Sequence, residues 1–384
     1  MTDDPPPHPA LLPAGLCDLL PPEAEWEARA VGRVMDVFAA HGYQRVKPPL
    51  LEFADSLLAG SGAAVAEQTF RLADPASQRM LGLRADITPQ VARIAATRLA
   101  GRPRPLRLCY AGQCLRVRGT QIAPDRQIGQ AGIELIGSTS PAADAEIVVV
   151  AAEALARLGI ARASYDLTLP PLAPALIDAA GITGAERQAL AHALDRKDAV
   201  AVARHGGAMA GLLTELLLAA GPADGALAVL AAAALPAPAA VLAEQLRAAV
   251  AAVRELAPDL RITVDPIEFR GFRYETGVCV TVYSPGHPEE LGRGGRYLTA
   301  DQEPATGLTL YSDALLRAAP EPGPAPLVFL PPGADQAAAA RLRTEGFATL
   351  AALGENEAAA HRLGCTHVLR GGSAVPVDAG SGGS

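Results

Sequence analysis

The chain has 384 residues, a length that allows one large domain with a smaller one. Half of the residues are hydrophobic and 19% are charged, a composition that excludes a disordered chain. Its formal net charge of -8 argues against tRNA or another nucleic acid as a partner, because proteins that bind them usually carry a basic face. Lysine occurs only at Lys47 and Lys197, which argues against Schiff-base chemistry.

The cysteines and the N-terminus predict a cytoplasmic protein without a metal site. None of the five cysteines forms a CxxC pair or has a histidine at metal-ligand spacing, so we expect buried, reduced thiols. The first residues are acidic and proline-rich and contain no signal-peptide core. Gly225–Ala243 is uncharged for 19 residues, but it is mostly alanine and contains Pro236 and Pro238, which predicts packed helices rather than a membrane span.

The first predicted elements are a helix and a strand. Apolar residues at helical spacing predict a helix over Pro22–His41, which Gly42 ends. Tyr43–Glu52 follows as a strand, and its Pro48 and Pro49 suit a sheet edge or an interface. Two short strands are predicted next, at Thr69–Leu72 and Arg79–Leu83.

A helix start and a long hairpin follow. Leu83–Arg93, LRADITPQVAR, predicts a helix that Asp86 or Thr88 caps. The apolar runs Leu106–Cys109 and Ile133–Ile136 flank a polar loop, which predicts an antiparallel hairpin. The loop presents cationic and amide side chains beside the sheet, namely Arg116, Arg118, Arg126 and Gln130.

The rest of the chain predicts a helical insertion and a second unit. After a helix at Ala142–Leu158 and a strand near Tyr165–Leu169, residues 171–258 are rich in alanine and leucine and predict a helical insertion. Two strands, a glycine-rich turn and a strand passing into a helix follow at Arg261–Asp265, Thr276–Tyr283, Gly292–Tyr297 and Gly307–Leu316.

We therefore expect one domain over residues 1–319, a proline-rich linker over 320–326 and a small α/β unit over 327–384. The predicted order within the small unit is a strand, an alanine-rich helix, a strand at Ala348–Ala351, a helix at 354–363 and a strand at 366–369. The last residues, GSGGS, predict a flexible end.

The segment from Tyr110 to Glu134 resembles motif 2 of class II aminoacyl-tRNA synthetases, the histidyl type in particular. The resemblance implies an α+β fold in which helices flank an antiparallel sheet. It places Arg116 on the arginine that contacts the ATP α-phosphate and the amino-acid carboxylate, and Gln130 and Glu134 on residues that hold bound histidine. The helix and proline-bearing strand near the N-terminus resemble motif 1, which implies a homodimer.

Two shorter segments resemble other parts of the same family. The resemblance of LRADIT implies that Asp86 and Thr88 bind the substrate α-amino group; the alternative, which an isolated segment would favour, is that both residues only cap the helix. The family's GGRY sequence recurs from Gly294 to Tyr297, where glycines would let the backbone approach a ligand or another strand.

The sequence FRGFRYETG resembles the histidine-specific segment of the family. The resemblance implies that Arg270 contacts a carboxylate and that Tyr274 lines the pocket. Arg273 and Glu275 stand where the family has an aspartate and a tyrosine. These two differences leave open whether the ligand is histidine or another amino acid.

The third class II motif has lost its nucleotide-binding residues. GLTLYSDALL at Gly307–Leu316 occupies its place, with Ala314 at the position of the ATP-binding arginine and Tyr311 at that of a glycine. The hairpin loop also reads Val117 and Arg118 where the family has a histidine–glutamate pair. Because adenylate formation depends on electrostatic stabilisation of phosphate charge, we expect no adenylation.

A synthetase-like body without its third motif resembles the regulatory subunits of ATP phosphoribosyltransferase. This resemblance implies a non-catalytic chain without cofactor, metal, tRNA or membrane. It implies a self-dimer that joins short catalytic subunits in a hetero-octamer, activates the first step of L-histidine biosynthesis and takes part in histidine feedback. An active histidyl-tRNA synthetase, or a ligase for another amino acid, is the alternative.

Overall fold

The computed structural model describes residues 11–120, 123–268, 275–321, 323 and 326–377. The chain divides into two compact units, Met1–Pro320 and Glu321–Ser384. The strands of the first unit are β1 (Gln44–Arg45), β2 (Leu51–Phe53), β3 (Phe70–Ala73), β4 (Met80–Leu83), β5 (Leu106–Leu115), β6 (Gln127–Ile136), β7 (Ser164–Thr168), β8 (Gly221–Pro222), β9 (Arg261–Asp265), β10 (Glu275–Ser284), β11 (His287–Leu298) and β12 (Pro304–Tyr311).

Helices accompany these strands along the whole first unit. They are α1 (Glu23–Ala40), α2 (Ala54–Leu57), α3 (Thr88–Thr97), α4 (Pro141–Arg157), α5 (Leu172–Ala179), α6 (Gly184–Asp195), α7 (Ala199–His205), α8 (Ala210–Leu218), α9 (Ala223–Ala232), α10 (Ala237–Leu256) and α11 (Ser312–Ala318). 3-10 helices occur at Gly60–Gln68 and Gly207–Met209. The described residues contain no helix long and apolar enough to cross a bilayer.

A nine-stranded sheet forms the body of the first unit, in the order β1-β5-β6-β12-β11-β10-β7-β9-β8. Its neighbouring strands run antiparallel except for β1 with β5 and β7 with β9. A separate small sheet has the order β2-β4-β3. The predicted α+β fold with a mainly antiparallel sheet is therefore confirmed.

Strand alternation gives the large sheet two different faces. On β6, Ala131 and Ile133 belong to the main core, which α1, α4, α10 and the other insertion helices cover. Ile128 and Ile136 face the opposite side, in a smaller core with α3. Because Gln130 and Glu134 lie at even spacing from these two isoleucines, we place their side chains on the α3 face.

Three local predictions for the first unit were wrong. Residues 43–52 do not form one strand, because β1 and β2 are separated by the segment containing Pro48 and Pro49, and proline lacks the amide that a sheet ladder needs. Gly292–Tyr297 is not a turn but the interior of β11, where its glycines allow close strand packing. The five cysteines are all free thiols, but Cys17 is exposed rather than buried.

The second unit is a four-stranded sheet with one helix. It contains β13 (Leu327–Leu330), α12 (Gln336–Thr344), β14 (Ala348–Ala351), β15 (His367–Arg370) and β16 (Ser373–Pro376). The strand order is β14-β13-β15-β16, and only β15 and β16 pair antiparallel. The helix predicted over 354–363 is wrong, because only a 3-10 turn at Glu357–Ala359 occurs there, and β16 was not predicted.

Candidate ligand site

A cleft of about 670 Å³ lies on the α3 face of the large sheet. Strands β6, β11 and β12, the start of α3 and the end of the β5–β6 hairpin contribute its walls. Five of the predicted site residues line this one cleft, namely Asp86, Thr88, Arg116, Gln130 and Glu134. The other two, Arg270 and Tyr274, lie outside the described residues.

The start of α3 brings two of these side chains to the cleft. Asp86 Oδ1 accepts a hydrogen bond of 3.1 Å from the Thr88 backbone N–H, and Pro89 occupies the first turn. One oxygen of Asp86 therefore stabilises the helix start, while the carboxylate as a whole still lines the cleft. Capping and ligand binding are compatible at this residue.

Glu134 is the centre of a buried hydrogen-bond network. Its side chain is 1% exposed. Oε1 accepts from the Thr88 hydroxyl at 2.8 Å and from the Tyr110 hydroxyl at 3.3 Å, and Oε2 accepts from the Tyr297 hydroxyl at 2.8 Å. Tyr110 also meets the Thr309 hydroxyl at 2.7 Å. Three elements, α3, β5 and β11, thus donate to one carboxyl group, and β12 joins the network through Tyr110.

Burial decides the charge of this carboxyl group. It raises the pKa of Glu134 to about 8, although the hydrogen bonds from Thr88 and Tyr297 lower it. Burial also raises the pKa of Tyr110 well above its ordinary value, so this phenol stays neutral and able to donate. Glu134 is therefore mostly protonated at neutral pH and loses its proton only near pH 8.

Two glycines make room for the network. Gly307 lies opposite Glu134 in the β12–β6 register, and a Cβ at 307 would be 1.9 Å from Glu134 Oε2. Gly132 lies opposite Tyr110 in the β5–β6 register, and a Cβ at 132 would be 2.4 Å from the Tyr110 hydroxyl. The close approach of these side chains to the sheet backbone therefore requires glycine at both positions.

Gln130 is fixed by its carbonyl end. Its Oε1 accepts from the Ile87 backbone N–H at 3.1 Å and from the Cys114 thiol at 3.3 Å. Only 2% of the residue is exposed, and it lies on the same face of β6 as Glu134. The bond to Ile87 ties β6 to the start of α3, so Gln130 helps to shape the cleft.

Arg116 brings a cation to the rim. It follows β5, and its backbone N–H donates to Arg126 O at 2.7 Å. Among the described residues, no side-chain or backbone group bonds to its guanidinium group, although the residue lines the cleft. Such a guanidinium group is well suited to bind a carboxylate in a bidentate manner.

The lining as a whole is acidic. Among the described lining residues, eight carry carboxyl groups and three are arginines. Arg317 is paired with Glu289, and Arg293 lies 3.5 Å from Glu290, so two of the three cations already have acidic partners. A tetra-anionic nucleotide would meet net repulsion here.

The segment in the place of the third motif also lacks a cation at the cleft. Tyr311 ends β12 opposite Gln130, and Ala314 follows in α11, where it is 4% exposed and lines the cleft. Alanine supplies no charge where the family has an arginine. Asp313 accepts a hydrogen bond from the Gly129 N–H at 3.1 Å, and burial raises its pKa.

The GGRY segment contributes structure and one network member. Gly294 allows β12 to approach, because a Cβ there would lie 1.9 Å from Gly307 O. Arg296 points to α4, where its Nε donates to Asp144 at 2.8 Å, whereas Tyr297 contacts Glu134. Sequence reasoning missed the roles of Tyr110, Thr309 and Tyr297, since only the strand register brings them into the Glu134 network. The match of GGRY was the one signal for Tyr297.

The known proteins that this chain resembles identify its family. Residues 15–315 match the family model described as histidyl-tRNA synthetase. The ATP phosphoribosyltransferase regulatory subunit of Gluconobacter oxydans is 55% identical over 97% of this chain and 98% of its own, and that of Rhodospirillum centenum is 53% identical over 97% and 98%. A crystal structure from Bacillus halodurans is described as an ATP phosphoribosyltransferase regulatory subunit/histidyl-tRNA synthetase. It superposes with a TM-score of 0.79 at 21% identity, over 94% of this chain and 98% of that chain, and supports the fold. The chain therefore belongs to the histidyl-tRNA synthetase-like family and, within it, to the regulatory subunits of ATP phosphoribosyltransferase.

Proposed function

We propose that this chain is a non-catalytic regulatory subunit of ATP phosphoribosyltransferase, the enzyme of the first step of L-histidine biosynthesis. It activates the short catalytic subunit and takes part in histidine feedback. One observation carries the proposal. The cleft combines side chains suited to bind an amino acid with an acidic lining, and it has Ala314 at the position where the family binds ATP with an arginine. Losing a fixed cation from such a site costs about 3–4 kcal/mol of transition-state stabilisation, which argues against adenylation.

L-Histidine is the proposed ligand. The guanidinium group of Arg116 meets its carboxylate, and Asp86 meets the α-amino group. The Thr88 hydroxyl, which already bonds to Glu134, joins Asp86 at the amino end. Glu134 and Gln130 face the imidazole, and we propose that Arg270 and Tyr274 complete the carboxylate and pocket contacts.

Linkage would connect this site to the partner. Histidine that binds one global state of the complex more tightly shifts the catalytic subunits toward that state, and the shift is limited by the difference in affinity. We assign histidine to the less active state, so that feedback inhibition follows from binding alone. No residue of this chain needs to touch the reacting substrates in this mechanism.

The proposed assembly is a self-dimer that joins catalytic subunits in a hetero-octamer, in the cytoplasm. A partly exposed apolar face on the small sheet supports the dimer, with side chains Leu51, Phe53, Phe70, Leu72, Leu81 and Leu83. An exposed apolar face is a common protein interface. The free state of all five cysteines is consistent with a reducing compartment.

The test is the condensation of ATP with phosphoribosyl diphosphate by the cognate short catalytic subunit, with and without this chain, over a histidine titration. We expect stimulation by the chain and loss of that stimulation as histidine rises. Glu134→Ala should remove the histidine response. Glu244→Ala, at a side chain that is 61% exposed on α10, should retain it. No stimulation of a proven cognate subunit would contradict the proposal.

The alternative is a working histidyl-tRNA synthetase or another amino-acid ligase. Histidine-dependent exchange of pyrophosphate into ATP by the purified chain distinguishes it from the regulatory function. We expect no exchange above background, because the cleft lacks a cation at Ala314 and its lining is acidic. Exchange with a different amino acid would favour a ligase with altered specificity.

A further inference from the structure

Arg126 lies in the β5–β6 hairpin, where its backbone pairs with that of Arg116, but it does not line the cleft. Its Nε donates to Arg116 O at 3.3 Å, and its Nη1 donates to Ala14 O at 3.2 Å. The guanidinium carbon lies 5.1 Å from the centre of the Phe70 ring, within the range of a cation–π contact. Arg126 is therefore engaged by protein groups rather than available to a ligand.

The backbone of Arg126 adds two more connections. Its carbonyl accepts from the Arg116 N–H at 2.7 Å, and its own N–H donates to Gly15 O at 2.8 Å. Arg116 is thus held by Arg126 at both its N–H and its carbonyl. Ala14 and Gly15 are attached to the same point, so this N-terminal segment, which we call the strap, fastens the end of the hairpin.

Gly15 of the strap lies close to the hairpin. Gly15 has φ +75°, and a Cβ there would lie 2.8 Å from Pro124 O and 2.9 Å from the Arg126 side chain. A side chain at 15 would therefore push against Arg126 as well as strain the backbone. Gly119 shows a similar demand within the hairpin, because its Cβ would lie 2.2 Å from Pro124 O.

From these contacts we propose that Arg126 is a positioning residue that clamps the Arg116 backbone to the N-terminal strap and so holds the Arg116 guanidinium at the cleft. The proposal rests on the function proposed above in one respect, namely that Arg116 binds the carboxylate of the ligand. Arg126 does not touch that ligand. It reduces the conformational freedom that Arg116 would otherwise lose on binding.

Calorimetric titrations with histidine and with histidinol, in which a hydroxymethyl group replaces the carboxylate, test the clamp. Arg126→Ala should weaken histidine binding by about tenfold, the order expected when a charge-assisted hydrogen bond is impaired, and histidinol binding by much less. Gly15→Ala should act in the same direction. Arg118→Ala, at an exposed neighbour in the same loop, should change neither. Adding Arg126→Ala to Arg116→Ala should cause little further loss.

Equal weakening of both ligands by Arg126→Ala would indicate a general structural role and overturn the proposal. Hydrogen exchange at the Arg116 amide provides a measurement that needs no ligand. We expect faster exchange in Arg126→Ala than in the wild type and in Arg118→Ala, and unchanged exchange would also overturn the proposal. If the wild-type chain bound no histidine, the proposed ligand would be wrong, and exchange at Arg116 would still decide whether the clamp exists.

Discussion

Thr88, the first residue of α3, donates a hydrogen bond of 2.8 Å to Oε1 of Glu134 on β6. This bond connects the end of the cleft that we assign to the ligand's amino group with the end that we assign to its imidazole. A change at either residue should therefore be felt at the other. The two ends form one unit in the structure, although they lie 46 positions apart in the sequence.

Thr88→Val tests this connection, because valine keeps the shape of threonine and removes the hydroxyl. We expect the free energy of unfolding to fall by about 1–3 kcal/mol, since Glu134 and Tyr110 each lose a buried partner. Histidine affinity should fall as well. Denaturant unfolding and calorimetry measure the two effects, and Thr88→Ser should preserve both quantities. Unchanged stability and unchanged histidine affinity in Thr88→Val would contradict the assigned network.

Glu134→Gln tests the titration of the buried carboxyl group. Its pKa is 4.5 ordinarily and about 8 in the folded chain. Between these two pH values the folded state therefore holds a proton that the unfolded state has lost. The wild type should therefore lose stability relative to Glu134→Gln as the pH rises from about 4.5 to about 8, with no further relative loss above that range. Melting temperatures of both proteins between pH 5 and pH 9 check this, and a constant difference would argue against the raised pKa.

Gly307→Ala should disturb the site through sterics alone. A Cβ at 307 would overlap the Glu134 carboxyl group, so we expect lower stability and loss of histidine binding. Gly225→Ala is the matched control, because a Cβ in α9 meets open space. This control should gain about 0.5–1 kcal/mol from improved helix propensity. Equal behaviour of the two variants in thermal unfolding would refute the close approach at Gly307.

Arg296→Ala should destabilise the fold without a specific effect on the ligand. Arg296 pairs with buried Asp144, and burial raises the pKa of Asp144 to about 6 although Arg296 lowers it. Removing one partner of a buried pair typically costs about 3–5 kcal/mol of unfolding free energy. Denaturant unfolding measures this loss. Replacing both partners with apolar residues should recover much of it, and the folded fraction of Arg296→Ala should bind histidine with wild-type affinity.

The sequence predicts those features that depend on local pattern. The hairpin of β5 and β6 follows from two apolar runs, and the resemblance directs attention to five residues that the structure brings to one cleft. Glycines in strands are harder to interpret. Gly294 and Gly295 suggested a turn, but they occur where neighbouring strands approach too closely for side chains, a demand that only the register reveals.

Long-range partners could not be predicted either. Tyr297 reaches Glu134 across 163 positions, and nothing in the sequence around either residue specifies that bond. Arg126 shows a related difficulty, because Arg116 and Arg126 look alike within the polar loop. Their contacts separate them: one guanidinium group lines the cleft, and the other bonds to backbone carbonyls.

The exposure of Cys17 has a practical consequence. The other four thiols are buried, and burial raises their pKa, so a maleimide dye under native conditions should attach to Cys17 alone. Cys17 lies two residues beyond Gly15, next to the strap that Arg126 fastens. The natural chain therefore already carries an attachment point for a fluorescent reporter, from which loosening of the strap could be followed in real time without introducing or removing any cysteine.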